Sequence, residues 1–337
     1  MENAICPACQ GRQISTVDRV STSDLIWLYA QVGLDVAPYF KGIPEIELNK
    51  CKICDLGFFT PACAGDDLFY EQLQQFDWYY QDDKPEYAHA RDLVGSSDAV
   101  LEVGCGKGAF RSWLPAEVQY TGLEFNDEAI RKARSAGLDV IRQPIEEHAG
   151  KERGKYDVVC CFQVLEHIPQ PRGFVHACVE ALKPGGKLII AVPAEDSFLS
   201  MAVDAHLNMP PHHALRWSDR ALKNLALREG LDVVELWHEP VASFHEDWRK
   251  DILALHYFAQ IGLSKHKLID RSLIRRLLGR LLENSAIRDF FAARASKKLT
   301  RAHGHTVVLV ASKPVLVLDE VPDTKEPDLQ VADCLVS

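Results

Sequence analysis

The sequence predicts an α/β protein with a doubly wound, largely parallel sheet, and three observations lead there. Val100-Leu101-Glu102-Val103 runs into glycines at alternate positions, Gly104, Gly106 and Gly108. A strand that ends in such a turn brings bare backbone close to a ligand. Lys155 to Phe162 is a nearly continuous apolar run, as a strand buried on both faces requires. Between 94 and 240 strand-like and helix-like stretches alternate, the order expected of βα units.

The elements follow in order. After the glycine turn comes a second strand-like run, Tyr120-Thr121-Gly122-Leu123, closed by Glu124. An acid at that strand tip is placed to accept hydrogen bonds from two ribose hydroxyls, so turn and acid together describe a site for an adenosine-containing cofactor. Asn126-Asp127-Glu128 starts a helix with acids in its first turn, ending near Ala136-Gly137. Leu138 to Arg142 is a short strand, followed by Gln143-Pro144-Ile145-Glu146. The buried strand 155–162 leads into Gln163-Val164-Leu165-Glu166-His167. Leu182-Lys183-Pro184-Gly185-Gly186-Lys187 closes a helix and turns into a fifth strand, Leu188 to Val192. Leu231 to Leu236 and Thr306 to Ala311 supply the last two.

The glycine spacing is G-x-G-x-G and not the dinucleotide G-x-G-x-x-G. With Glu102 before it, it resembles motif I of class I S-adenosylmethionine-dependent methyltransferases. The V-L-E-H segment at 164–167 and the L-K-P-G-G turn at 182–186 resemble the same family. The resemblance implies a Rossmann-like fold with a mixed seven-stranded sheet, the last strand antiparallel beside the fifth. It also implies S-adenosylmethionine as cofactor, with Glu102 near its methionine end. Gly104, Cys105, Gly106 and Gly108 would form the turn, and Glu124 and Phe125 the ribose end. Backbone groups of Ile145, or Glu146 nearby, would contact the adenine, since Pro144 stands where the family often has an acid. Gln163 and His167 would wall the pocket, with Glu166 structural or helix-capping. A dehydrogenase remains the competing enzyme class.

The composition fits a globular protein: 337 residues, 47% hydrophobic and 26% charged. Its net charge of -10 argues against general nucleic-acid binding. No apolar run approaches the roughly 20 residues of a membrane span. The beginning lacks a basic-then-apolar leader. Ten cysteines, several in buried strands, suggest reduced thiols and a cytoplasmic location.

Cys6-Pro7-Ala8-Cys9 and Cys51-Lys52-Ile53-Cys54 form two C-x-x-C pairs. Four thiolates close the shell of a structural zinc ion. Redox pairs and unrelated pairs are the alternatives, and zinc is favoured because neither pair precedes a thioredoxin-like helix. Residues 1–65 are therefore expected to be a zinc-binding module. Residues 66–93 would be a helical, tyrosine-rich linker, and 94–314 the cofactor-binding domain with a helical insert at 243–303. Residues 315–337 read as a mobile tail. A paired C-x-x-C module ahead of this core resembles sugar C-methyltransferases that act on nucleotide-linked deoxysugars.

That resemblance aligns His213 with a catalytic histidine and puts His212 where the family has a glutamate. A neutral imidazole is a good proton acceptor near neutral pH, its unperturbed pKa being about 6.5. The competing reading is a pair that caps the next helix or shapes the pocket. Tyr79 and Tyr80 are candidate substrate contacts, with aromatic packing as the alternative. Methyl transfer to a small molecule is the expected activity, with a sugar hydroxyl as leading acceptor. C-methylation of a ketosugar, and N-methylation of an aminosugar or secondary metabolite, come after it. Residues 249–301 carry thirteen basic residues against four acids. This insert is a solvated face, a groove for a phosphate-bearing substrate, or a peripheral contact with anionic membrane. Oligomeric state is not legible.

Overall fold

The computed structural model describes residues 4–73, 76, 82–263, 267–296 and 303–315. Its strands are β1 (Ile14–Ser21), β2 (Glu45–Cys51), β3 (Gly57–Thr60), β4 (Ala99–Val103), β5 (Gln119–Leu123), β6 (Val140–Ile141), β7 (Tyr156–Phe162), β8 (Leu182–Pro193), β9 (Leu215–Arg216), β10 (Asp232–His238) and β11 (Thr306–Ser312). The helices are α1 (Thr22–Ala30), α2 (Asp67–Leu73), α3 (Pro85–Arg91), α4 (Asp127–Ser135), α5 (Ile145–Lys151), α6 (Pro171–Ala181), α7 (Asp219–Arg228), α8 (Glu246–Gln260), α9 (Leu273–Leu282) and α10 (Ser285–Ser296).

A seven-stranded sheet runs in the order β10-β11-β8-β7-β4-β5-β6. The strands from β8 to β6 pair in parallel, and β11 pairs antiparallel with both β8 and β10. Successive residues of β7 serve opposite faces. Val159 and Cys161 pack into one core with α5, α6 and α7, while Val158, Cys160 and Phe162 pack into the other with Phe110 and Ile130. That two-sided burial is why the strand reads as an apolar run without polar alternation.

Helix starts follow local chemistry. The Asn126 side chain accepts from the Ala129 N–H at 2.9 Å to cap α4, and Ser218 accepts from Ala221 at 3.2 Å to cap α7. The next helix after His213 is thus capped by Ser218. The segment after the glycine turn is a short 3-10 helix, Ala109–Trp113, because Leu114-Pro115 leaves no room for a longer one. Two details differ from the sequence expectations. The predicted strand over 138–142 shrinks to two residues. The strand expected from Leu188 begins at Leu182, whose backbone already pairs with Tyr156 before a register shift accommodates the Pro-Gly-Gly turn.

The amino-terminal part makes a second sheet, β1-β2-β3-β9, all antiparallel. Its last strand comes from far along the chain: Gly57 pairs with Arg216 and Phe58 with Leu215. Cys6, Cys51, Cys54 and Phe58 share one hydrophobic core with Leu215, Trp217 and the residues of α6 and α7.

Between β10 and β11 lie α8, α9 and α10. Many of the basic residues here are paired: Arg249 with Glu246 at 2.7 Å, Lys250 with Asp289 at 3.1 Å, Arg288 with Asp247 at 2.8 Å, and Arg271 with Asp24 at 2.8 Å. Helix α9 exposes Leu273, Ile274, Leu277 and Leu281. Among the described residues no helix is long and apolar enough to cross a membrane.

Candidate active site

The glycine turn sits at the carboxyl end of β4. Gly104, Gly106 and Gly108 have φ of 73°, 54° and 81°, in the left-handed region that glycine enters without strain. An ideal Cβ on Gly104 would lie 2.6 Å from Val164 Cγ2, and one on Gly108 2.2 Å from Leu138 Cδ1. Cys105 is buried between them, against Gly122. Glu124 closes the turn from β5. Its Oε2 accepts from the Gly106 N–H at 2.7 Å, and its Oε1 accepts from Phe125 and Asn126 N–H at 2.7 and 2.9 Å. A carboxylate has about four acceptor sites, so this one holds the loop and retains capacity for a hydroxyl. Phe125 beside it is half exposed, an open apolar face for a purine.

Glu102, one turn of pleat earlier, is buried and accepts from Tyr120 Oη at 2.6 Å. Burial raises its carboxyl to about 8, partly offset by the tyrosine hydrogen bond. Ile145 buries its side chain in the core and opens α5, whose first-turn N–H groups have no intrahelical partner. Gln163 ends β7 with φ 57°, outside the range usual for its residue type, and reaches Glu86 Oε1 at 3.3 Å. Taken together, these residues fit an adenosine cofactor with a ribose. They meet at the carboxyl ends of parallel strands, where ligands bind in such sheets.

Three histidines lie beyond that cradle. His167 Nδ1 faces the His212 carbonyl at 2.7 Å, His212 Nδ1 faces the Leu207 carbonyl at 2.8 Å, and His213 Nδ1 faces Asn208 Oδ1 at 3.2 Å. The His212 and His213 rings stack with centroids 4.4 Å apart, and His167 sits edge-on to both. Burial lowers all three below the usual histidine value, His167 to about 4, so they are neutral at physiological pH. Glu166 was expected to be structural or to cap a helix, and it caps no helix among the described residues. Its buried carboxyl has no hydrogen-bond partner in another described residue, and Oε1 lies 3.7 Å from His167 Nε2 and 3.8 Å from His213 Nε2. Burial raises it to about 8.

The histidine loop is fastened to the amino-terminal sheet. Phe59 N–H donates to the Ala214 carbonyl at 3.1 Å, and Gly65 N–H to Pro211 at 2.7 Å. Tyr29 Oη reaches the His206 and Met209 carbonyls at 2.6 and 2.8 Å. Asn208 and Tyr29 were not singled out in the sequence, because nothing local marks a residue that orients another from far along the chain. Tyr79 and Tyr80 lie outside the described residues.

The four cysteines converge. Cys6 and Cys54 sulfurs are 3.5 Å apart, as are those of Cys9 and Cys51, and all four fall within 4.8 Å of one another. A tetrahedral ion with Zn–S bonds of about 2.3 Å needs sulfurs roughly 3.8 Å apart. This quartet can therefore hold a metal with no open position. Cys63 is buried apart from it, its thiol raised by burial.

Glycine cradle, strand-tip acid and sheet order together resemble a class I S-adenosylmethionine-dependent methyltransferase domain. Residues 79–236 match the family described as "Methyltransferase domain". Over 124 residues the chain is 38% identical to the ubiquinone biosynthesis O-methyltransferase of Erwinia tasmaniensis, covering 35% of this chain and 47% of that protein. It is 39% identical over 99 residues to the protein of the same name from Salmonella arizonae, covering 27% and 41%. The matched stretch thus spans less than half the length of these curated relatives. Among solved structures it is similar to a SAM dependent methyltransferase from Archaeoglobus fulgidus, with 17% identity, a TM-score of 0.49, and coverage of 72% of this chain and 100% of that one.

Proposed function

We propose that this protein transfers the methyl group of S-adenosylmethionine to a hydroxyl of a small molecule, with a sugar or phosphate-bearing sugar precursor as the leading acceptor. The cofactor supplies an electrophilic methyl on a sulfonium, so the protein has to align the acceptor and take its proton. One observation carries the reading: His213 is fixed through Nδ1 by Asn208, which leaves Nε2 as a proton acceptor beside Glu166. Burial keeps Glu166 largely protonated at neutral pH, so it can stabilise a proton on His213 only as it ionises. Glu124 and the glycine turn hold the cofactor's ribose, with Phe125 against its base. The relatives' name, which specifies O-methylation, supports oxygen as the acceptor atom.

Glu166 also favours a second reading. Sugar C-methylation requires enolisation, and a carboxylate next to a histidine suits it; here Glu166 stands near His213 although His212 replaces the glutamate expected by alignment. The cysteine quartet binds structural zinc in this proposal. The basic insert, with the exposed apolar residues of α9, is where a phosphate-bearing or membrane-linked acceptor would approach. Labelled methyl donor and candidate acceptors test the reading with the His213→Ala variant. Lost turnover with unchanged S-adenosylhomocysteine affinity is expected; full turnover removes His213 from the reaction.

A further inference from the structure

We propose that Glu239, His245 and His305 bind a divalent first-row metal ion that ties together the two ends of the helical insert. The three residues stand where the insert leaves the sheet and where it returns. Glu239 follows β10, His245 ends a 3-10 helix, Ser243–His245, that leads into α8, and His305 precedes β11. One donor atom from each lies within 4.8 Å of the others.

The backbone fixes two of the three. Glu239 N–H donates to the Thr306 carbonyl at 3.0 Å, Gly304 N–H to the Glu239 carbonyl at 2.6 Å, and Ala194 N–H to the His305 carbonyl at 2.7 Å. Gly304 permits this close approach, because an ideal Cβ there would lie 2.8 Å from the carbonyl oxygens of Glu239 and Pro240. The His245 ring then meets the His305 ring edge-on, with centroids 4.5 Å apart.

Unmatched polar atoms are the second observation. Glu239 is 1% exposed, and its Oε2 has no hydrogen-bond partner among the described residues. The same holds for the buried Nδ1 atoms of His245 and His305. Oε2 and the His305 Nδ1 are 3.0 Å apart, yet no hydrogen bond aligns between them. Native structures explain such groups by an ion or a water. A Glu239–His305 ion pair alone would leave the His245 nitrogen unaccounted for, whereas one shared ion accounts for all three atoms. Ligand atoms around a tetrahedral ion, with bonds of about 2.0–2.1 Å, stand about 3.3 Å apart, close to the spacing of Glu239 and His305. Two imidazoles and a carboxylate are an N/O donor set suited to zinc, iron, nickel or manganese, unlike the soft cysteine quartet. Three protein ligands leave a fourth position for water. Thr306 pairs with Pro193, so the ion sits at the edge where the parallel strands have their carboxyl ends. It would pin α8, α9 and α10 to that edge, whatever reaction the site catalyses.

The test titrates Zn²⁺ into the dialysed full chain by calorimetry. Binding at this site should weaken about tenfold or more in Glu239→Gln, His245→Gln and His305→Gln, each of which removes one ligand. It should persist in Cys51→Ser and in His213→Ala, which separates it from the cysteine quartet and from the histidine loop. Circular dichroism and urea midpoints in chelator report that each variant is folded. Hydrogen exchange at 239–246 and 303–306 should slow when Zn²⁺ is added to the wild type. Wild-type binding in both Glu239→Gln and His245→Gln overturns the proposal, as does unchanged exchange at both ends of the insert in the zinc-loaded protein. Binding lost only in His213→Ala assigns the ion to the histidine loop and overturns it too.

Discussion

Tyr29→Phe should loosen the acceptor side of the site without touching the cofactor side. The phenol is fully buried, and its one O–H serves two carbonyls of the histidine loop, His206 at 2.6 Å and Met209 at 2.8 Å. Burial holds the phenol well above its ordinary range, so it is a donor at every accessible pH. The substitution removes the hydroxyl and leaves the ring packing against Phe69 intact, so no large cavity forms. A neutral buried hydrogen bond contributes about 1 kcal/mol net, and stranding its acceptor raises the cost to about 1–3 kcal/mol. We expect about 2 kcal/mol of lost stability on that basis, read by urea denaturation. Kinetics should show a several-fold rise in acceptor KM with S-adenosylhomocysteine affinity unchanged. Wild-type stability together with unchanged acceptor KM would refute the idea that the amino-terminal region holds this loop.

Other perturbations discriminate further. Gly104→Ala forces a Cβ onto Val164 at a φ of 73°, and should cost about 1–3 kcal/mol, measured by denaturation, with cofactor affinity reduced in titration calorimetry. Glu124→Ala frees three N–H groups at once; charge-assisted hydrogen bonds of about 1.5–3 kcal/mol imply a 10- to 100-fold loss of cofactor affinity. On the proposal that the cysteine quartet holds zinc, Cys51→Ser should lower the metal content and broaden the unfolding transition, because Cys51 shares its core with Leu215 and Trp217; metal analysis and circular dichroism check this. Glu102 has a folded pKa of about 8 against an ordinary 4.5. Between those values the folded state keeps a proton that the unfolded chain has released, so stability falls as pH rises, by up to about 1.4 kcal/mol per pH unit. Glu102→Gln should remove its share of that slope from urea curves taken between pH 5 and 8, leaving the share of Glu166, which burial raises to about 8 as well.

Much of the cofactor half was legible because its signals are local. Gly104, Gly106 and Gly108 need left-handed backbone, and few residue types tolerate it; Glu124 lies a fixed strand-length away. The run from Val158 to Phe162 could be placed in the sheet because both of its faces are buried. The histidine loop was visible only as residue types. What orients it is distant in sequence: Asn208 on His213, Tyr29 on two carbonyls, Phe59 on Ala214. Glu166 reads from the sequence as structural or helix-capping, because the pattern carries no information about which buried groups lack partners. The two-residue pairing of Leu215 and Arg216 with β3 is too short to leave a periodic signal.

That two-residue pairing also sets a rule for recombining the protein. Residues 215–216 complete a sheet begun some 160 positions earlier, as the Phe58–Leu215 register shows. Cutting the chain at a boundary near 65 would therefore leave β3 with an unpaired edge on one fragment and an orphaned loop on the other. An exchange of acceptor preference between relatives would travel as two pieces, the cysteine-bearing sheet and the segment around 206–217, inherited together. Chimeras that swap only one piece would be mismatched at the seam even when each parent folds well.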